Sequence, residues 1–222
     1  CVVVTGRMPW LGKPETWRWR GVIAQTIWVI GASTAAGVAN AGYMLVVGLF
    51  VPQADLGVYF FAVQLLMQIE TLVGQSIVTV MFPIMARMQG EPARQGSAAI
   101  RVVRATGLVV APLAVLLGVL WPAIDLVVFQ GKWALAATPI LILGMFYPIR
   151  TIMVAVPNAA LQATGRFREW FFLWLTTGVG LLVVAGIAGW ALRDVDALAW
   201  CVGAFLALSG LYFTVTVVHR LH

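Results

Sequence analysis

Charge is what this sequence has least of. Asp, Glu, Lys and Arg make up 10% of its 222 residues, against ~25% in an ordinary soluble domain. That scarcity excludes a water-soluble enzyme with a polar skin, and equally a disordered tail. Histidine occurs only as His219 and His222, at the end of the chain, so no apolar segment offers an imidazole base or metal ligand. Two cysteines, Cys1 and Cys201, are too few and too far apart for a disulfide framework or a metal site. Walker, HExxH and GxSxG sequences are missing as well, which removes the commonest phosphate-binding, zinc-hydrolase and acyl-transfer machineries. The expectation is a protein that is not an enzyme, with no catalytic residue, cofactor or metal.

Apolar residues are what it has in excess, at 62% of the chain with a mean hydropathy of +0.96. Residues 21–54, 105–124, 170–192 and 197–219 carry no charge at all. A bilayer core needs about 20 apolar residues per helix, so each run is long enough to cross. Joining the shorter runs across Glu70 and Arg150 gives six spans, at about 22–51, 57–86, 105–129, 134–163, 170–192 and 197–218. The fold class expected is an all-α integral membrane protein. Cys1-Val2-Val3-Val4, with no initiator Met, reads as the tail of an earlier apolar segment rather than as a lipidated terminus. Residues 1–20 are then the end of a preceding helix plus a linker.

A net charge of +6 in a soluble chain would suggest nucleic acid. Here the basic residues sit between spans and set orientation instead. Arg7, Lys13, Arg18, Arg20, Arg87, Arg94, Arg101, Arg104, Arg166, Arg168 and Arg220 fall on one side, and Lys132 and Arg193 on the other. The positive-inside rule then places both termini in the cytoplasm. Trp10, Trp17, Trp19, Trp28, Trp170 and Trp174 near inner ends, and Trp121, Trp133, Trp190 and Trp200 near outer ends, suit interfacial belts.

Polar residues are unevenly spread. Gln64, Gln68, Thr71, Gln75 and Thr79 recur at spacings of three and four, which puts them on one helical face. A weaker stripe of Thr26, Ser33, Gly37 and Asn40 runs along the first span, and Tyr147, Thr151, Asn158 and Gln162 mark the fourth. Such groups either bond neighbouring helices together or line a hydrated cavity. Three glutamines on one face exceed what helix association requires, which favours the cavity. Arg150 and Glu70 are the charges read as lying well inside spans; intramembrane ions of this kind mark transport pathways. Pro83, Pro112, Pro122, Pro139, Pro148 and Pro157 lie within or at the ends of spans, and the Gly31/Ala35 and Gly203/Ala207 pairs permit close helix contact.

Three stretches carry a family resemblance. They are Val80-Met81-Phe82-Pro83-Ile84-Met85-Ala86-Arg87-Met88-Gln89, then Phe129-Gln130-Gly131-Lys132-Trp133 with Ala137-Thr138-Pro139, then Ala160-Leu161-Gln162-Ala163-Thr164-Gly165-Arg166. Their order and spacing resemble the C-terminal half of bacterial polysaccharide and lipopolysaccharide flippases. The resemblance is to the Wzx-like, colanic-acid type of the multidrug/oligosaccharidyl-lipid/polysaccharide exporter superfamily, from about Trp17 to the C-terminus. It implies a twelve-helix exporter of two six-helix lobes, this chain being the second, with a missing N-terminal lobe and membrane lipids as partners. It implies an inner-membrane location and a lipid-linked oligosaccharide as substrate, carried by alternating access. Arg150, Gln64, Gln68, Gln75, Asn40 and Asn158 become substrate-cavity candidates, and Glu70 the ion-coupling candidate. Where relatives often carry an acid late in the first helix, this chain has Asn40-Ala41-Gly42-Tyr43, so no coupling role transfers to that position. A drug/cation antiporter of the same superfamily and a non-transporting membrane scaffold are the alternatives.

The orientation is directly testable. In a background lacking Cys1 and Cys201, a cysteine replacing Gln95 should resist an impermeant thiol reagent in intact cells, and one replacing Asp194 should be labelled. Strong labelling at Gln95 would invert the topology.

Overall fold

The computed structural model describes residues 19–87 and 92–221. The expected preceding helix, most of the first linker, Trp10, Trp17 and Gln95's neighbours at 88–91 lie outside the described residues or at their edge. The described chain forms six long α-helices: α1 (Trp19–Gly48), α2 (Gln53–Arg87), α3 (Pro92–Val128), α4 (Ala137–Ala163), α5 (Phe167–Leu192) and α6 (Val195–Leu221). No strand occurs among the described residues. Each helix is long and apolar enough to cross a membrane, as an all-α multi-pass architecture requires. The helices overlap all six expected spans. The third begins well before residue 105, because Arg94, Arg101 and Arg104 ride on a helical extension whose backbone needs no further apolar sequence. Pro83, Pro112, Pro122, Pro148 and Pro157 sit within continuous helices.

Connections are short and carry the expected chemistry. Asp194 caps α6, its carboxylate accepting from the Ala197 amide at 2.9 Å. Gly165 (φ 71°) closes the α4–α5 turn in the left-handed region that glycine adopts without strain. Between α3 and α4, Gln130 (φ 56°) and Gly131 (φ 80°) reverse the chain ahead of a 3-10 turn at Ala134–Ala136.

α4 occupies the middle of the lobe. It packs on α2, α3 and α6, while α1 packs chiefly on α5 and scarcely touches α2. Between helices in lipid there is little hydrophobic driving force, so close packing through small residues takes over. An added side chain at Gly178 of α5 would lie 2.8 Å from the Cβ of Ala39 on α1, and one at Gly210 of α6 would lie 3.3 Å from the Arg150 backbone of α4. At Gly203 it would meet the Phe146 ring, and at Gly31 the Phe171 ring. Trp190 and Trp200 stay exposed at 67% and 50%, as belt residues should. Trp121 and Trp170 are buried instead, each with its indole N–H bonded inside the protein.

The α1–α5 contact should therefore be intolerant of bulk. Gly178→Leu should cost about 1–3 kcal/mol by overpacking, because Ala39 is fixed to its own backbone. Gly37→Ala, which meets nothing within 4 Å, should be neutral or slightly stabilising. Thermal unfolding in detergent separates the two; equal melting temperatures would refute the packing argument.

Candidate functional site

The two intramembrane charges meet. Arg150 of α4 places Nη1 3.0 Å from Oε2 and 3.1 Å from Oε1 of Glu70 on α2. Both side chains are sheltered, at 13% and 24% exposure. Arg150 lies about 20 Å along α4 from Ala163, at ~1.5 Å per residue, so the pair sits near mid-depth. An unpaired Arg there costs roughly 2.5–3.5 kcal/mol on insertion scales, and the carboxylate offsets that cost. Both bonds come from one nitrogen, so the guanidinium fork is not engaged face to face.

Arg150 also forms part of the wall of a cavity of about 20 Å³ between α1, α4, α5 and α6, room for roughly one water molecule. Asn40, Thr177 and Ser209 supply its polar lining, together with Trp174, whose indole N–H is buried without a partner. Asn40 and Arg150 thus share one site inside the lobe. Asn158 does not join them. Its Oδ1 accepts from Trp170 Nε1 and, at 3.2 Å, from Gln162 Nε2, binding α4 to α5.

The glutamines form a third group. Tyr59, Ala62, Val63 and Leu66 form the buried face of α2, and Glu70 continues it toward α4. Gln64, Gln68, Thr71 and Gln75 occupy the opposite face and are exposed. Thr71 and Thr79 turn their hydroxyls back to the Met67 and Gln75 carbonyls at 2.8 Å. The three glutamine amides look outward from the lobe along one polar strip. On α1, Ser33 and Gly37 are likewise exposed.

One buried charge escaped the sequence reading. Asp125 of α3 is 2% exposed, and its Oδ1 accepts from the Trp133 amide at 2.9 Å. Its carbonyl takes the amides of Phe129 and Gly131 at 2.9 and 3.1 Å. Phe61 stacks on Trp133 with centroids 4.2 Å apart, Trp121 and Phe129 close round them, and Lys132 covers Trp133 at 5.6 Å. The signal lay in the stretch itself, an Asp ahead of Gly131 and Trp133 where a helix must end. It is a clamp on the α3–α4 turn, remote from Arg150.

The ion pair makes a specific prediction. Arg150→Ala should destabilise the protein by about 3–5 kcal/mol by stranding a sheltered carboxylate, and Arg150→Ala with Glu70→Ala should recover much of that loss. Unfolding in detergent measures both; additive losses would show that the contact is energetically idle.

Neither a curated protein nor a solved structure matches the chain. A family model described as "Polysaccharide biosynthesis protein" matches residues 1–138, covering α1, α2, α3 and the turn that Asp125 clamps. This six-helix membrane chain belongs to that polysaccharide biosynthesis protein family.

Proposed function

We propose that the chain is one lobe of a flippase. Its substrate is a polyprenyl-diphosphate-linked oligosaccharide, crossing the bacterial inner membrane with both termini of the chain in the cytoplasm. The observation that supports this most is the outward amide strip of Gln64, Gln68 and Gln75 on a helix that otherwise belongs in lipid. An amide exposed to hydrocarbon is costly, whereas the same amide facing a water-filled path meets water and sugar hydroxyls. Glutamine carries both donors and an acceptor, which suits hydroxyls of either polarity, and the strip is uncharged, which suits a neutral glycan better than an organic cation. Membership of a polysaccharide biosynthesis family supports a glycan as the substrate.

The mechanism is alternating access. A second lobe faces the strip, the two rock about a midplane site, and sugar and diphosphate cross in water while the polyprenyl tail stays in the bilayer. The cavity beside Arg150 holds about 20 Å³, which is far too small for a sugar, so the glycan belongs on the outer face of α2 rather than inside the lobe.

Export of lipid-linked glycan by a flippase-null strain expressing the intact protein tests this. Replacing Gln64, Gln68 and Gln75 together by Ala should lower export at least tenfold with normal protein level. Leu208→Ala, at a lipid-type position 64% exposed, should change little. Full export by the triple variant would overturn the assignment of the strip.

A further inference from the structure

Basic charge gathers at one end of the lobe with little acid to answer it. Between Glu70 and Asp125 the chain has four arginines, Arg87, Arg94, Arg101 and Arg104, and one acid, Glu91. The side chains of Arg87, Arg101 and Arg104 are exposed. Packing brings these three to the same end of the lobe. Ile84 of α2 lies in one apolar cluster with Val102 and Val103 of α3; Arg87 follows Ile84 by three residues, and Arg101 and Arg104 flank the two valines. Arg101 and Arg104 are themselves three residues apart, neighbours on the surface of α3, where like charges destabilise one another. Arg101 Nε donates to the Ser97 carbonyl at 3.3 Å, which steadies the side chain on α3 and uses one of its five donors.

Depth and face decide what these arginines meet. The charge-free run 105–124 is about 30 Å long at ~1.5 Å per residue, the thickness of a hydrocarbon core. Arg104 therefore stands at the edge of the core, and Arg101 nearly one turn beyond it, at the depth of lipid headgroups. Leu108, Val115, Val119 and Leu126 follow Arg101 at the recurrence of one helical face. They are 78%, 48%, 63% and 70% exposed, whereas Thr106, Val110 and Ala114 are buried on the other side of the helix. The face of α3 that starts with Arg101 is the one turned away from the lobe, where acyl chains lie in a membrane. The first turn of α3 contains no acid, so the positive pole of the helix adds to the attraction for an anion.

We propose that Arg101 and Arg104 of α3, with Arg87 of α2, form a headgroup site for an anionic phospholipid. Its phosphate bridges the two α3 guanidiniums, and an acyl chain lies along Leu108 and Val115. A guanidinium offers paired N–H donors that match phosphate oxygens, so a phosphate between Arg101 and Arg104 replaces their repulsion with charge-assisted bonds. Charge complementarity selects the phosphate. The apolar stripe running on from Arg101 selects a lipid over a free anion, because the same face holds the acyl chain. A zwitterionic headgroup brings an ammonium that three arginines repel, so the site prefers phosphatidylglycerol to phosphatidylcholine. The bound lipid fastens α2 and α3 together at this end, whatever the lobe carries.

The test uses the intact protein in neutral detergent, with native mass spectrometry counting retained phosphatidylglycerol or phosphatidylcholine. Phosphatidylglycerol should be held at least tenfold more tightly than phosphatidylcholine, and inorganic phosphate should not displace it. Arg101→Gln/Arg104→Gln should remove the preference, and Arg168→Gln should leave it intact. Arg168 is exposed on α5 beside the Trp28 and Phe172 rings, so it reports any general attraction of basic surface for anions. Equal retention of the two lipids by the parent, an undiminished preference in the double variant, an equal loss in Arg168→Gln, or displacement by inorganic phosphate would each overturn the proposal. Should the double variant fail to fold, the parent decides with a phosphatidylglycerol that carries a photoreactive group near its glycerol. The crosslink must map to residues 97–108 of α3 or 84–87 of α2, and a crosslink elsewhere overturns the site.

Discussion

A charge pair in the middle of an apolar lobe constrains everything around it. α4 is 56% buried over its apolar segment, against 22% for α2 and 17% for α1, so it is the helix on which the others assemble. Arg150 on that helix must have a counter-charge, and α2 supplies it at 3.0 Å. The bond fixes which face of α2 turns inward, since a 3.6-residue period leaves no freedom to bury Glu70 and Gln68 together. Where the amide strip points follows from where the carboxylate must be. On the other side of α4, Thr214 of α6 donates to the Met153 carbonyl at 2.6 Å, and Gly210 lets the backbones close. Packing and polar bonds together replace the hydrophobic drive that lipid does not provide.

The lobe consequently keeps two polar systems apart. One is the exterior strip on α2, neutral and open. The other is interior: the ion pair, the buried phenols of Tyr43, Tyr59 and Tyr147, and the small cavity, narrow and sealed by Val47, Leu66 and Leu181. The interior cavity, at about 20 Å³, has room for roughly one water molecule.

Much of this was legible in the sequence, and the limits have physical causes. Six helices followed from run length, because a bilayer tolerates few other solutions. The glutamine periodicity located one face of α2, and the isolation of Glu70 and Arg150 marked both as charges needing an account. Periodicity within a helix says nothing about which helix lies alongside, so Asn40, Asn158 and Arg150, grouped as one cavity from sequence, divide into a shared interior site and a separate α4–α5 tie. Asp125 escaped notice because it falls one residue past the charge-free run 105–124, in the last turns of the expected 105–129 span, where a carboxylate reads as an interfacial residue. The tyrosines escaped for a different reason. Tyr43, Tyr59 and Tyr147 are each unremarkable in an apolar span, and only tertiary packing brings them together.

The geometry of the ion pair bears on whether it is a fastener or a movable element. A guanidinium that meets a carboxylate through two nitrogens forms a planar, parallel pair that resists separation. Arg150 instead offers Nη1 to both oxygens, so two contacts depend on one nitrogen and break together. Arg150 also borders a small cavity whose lining includes Asn40, Thr177, Ser209 and Trp174 among apolar residues. An aliphatic pair in the same place would bind α2 to α4 more simply and avoid desolvating two ions. What the charged pair adds is direction, since only one face of α2 carries a carboxylate that can meet Arg150.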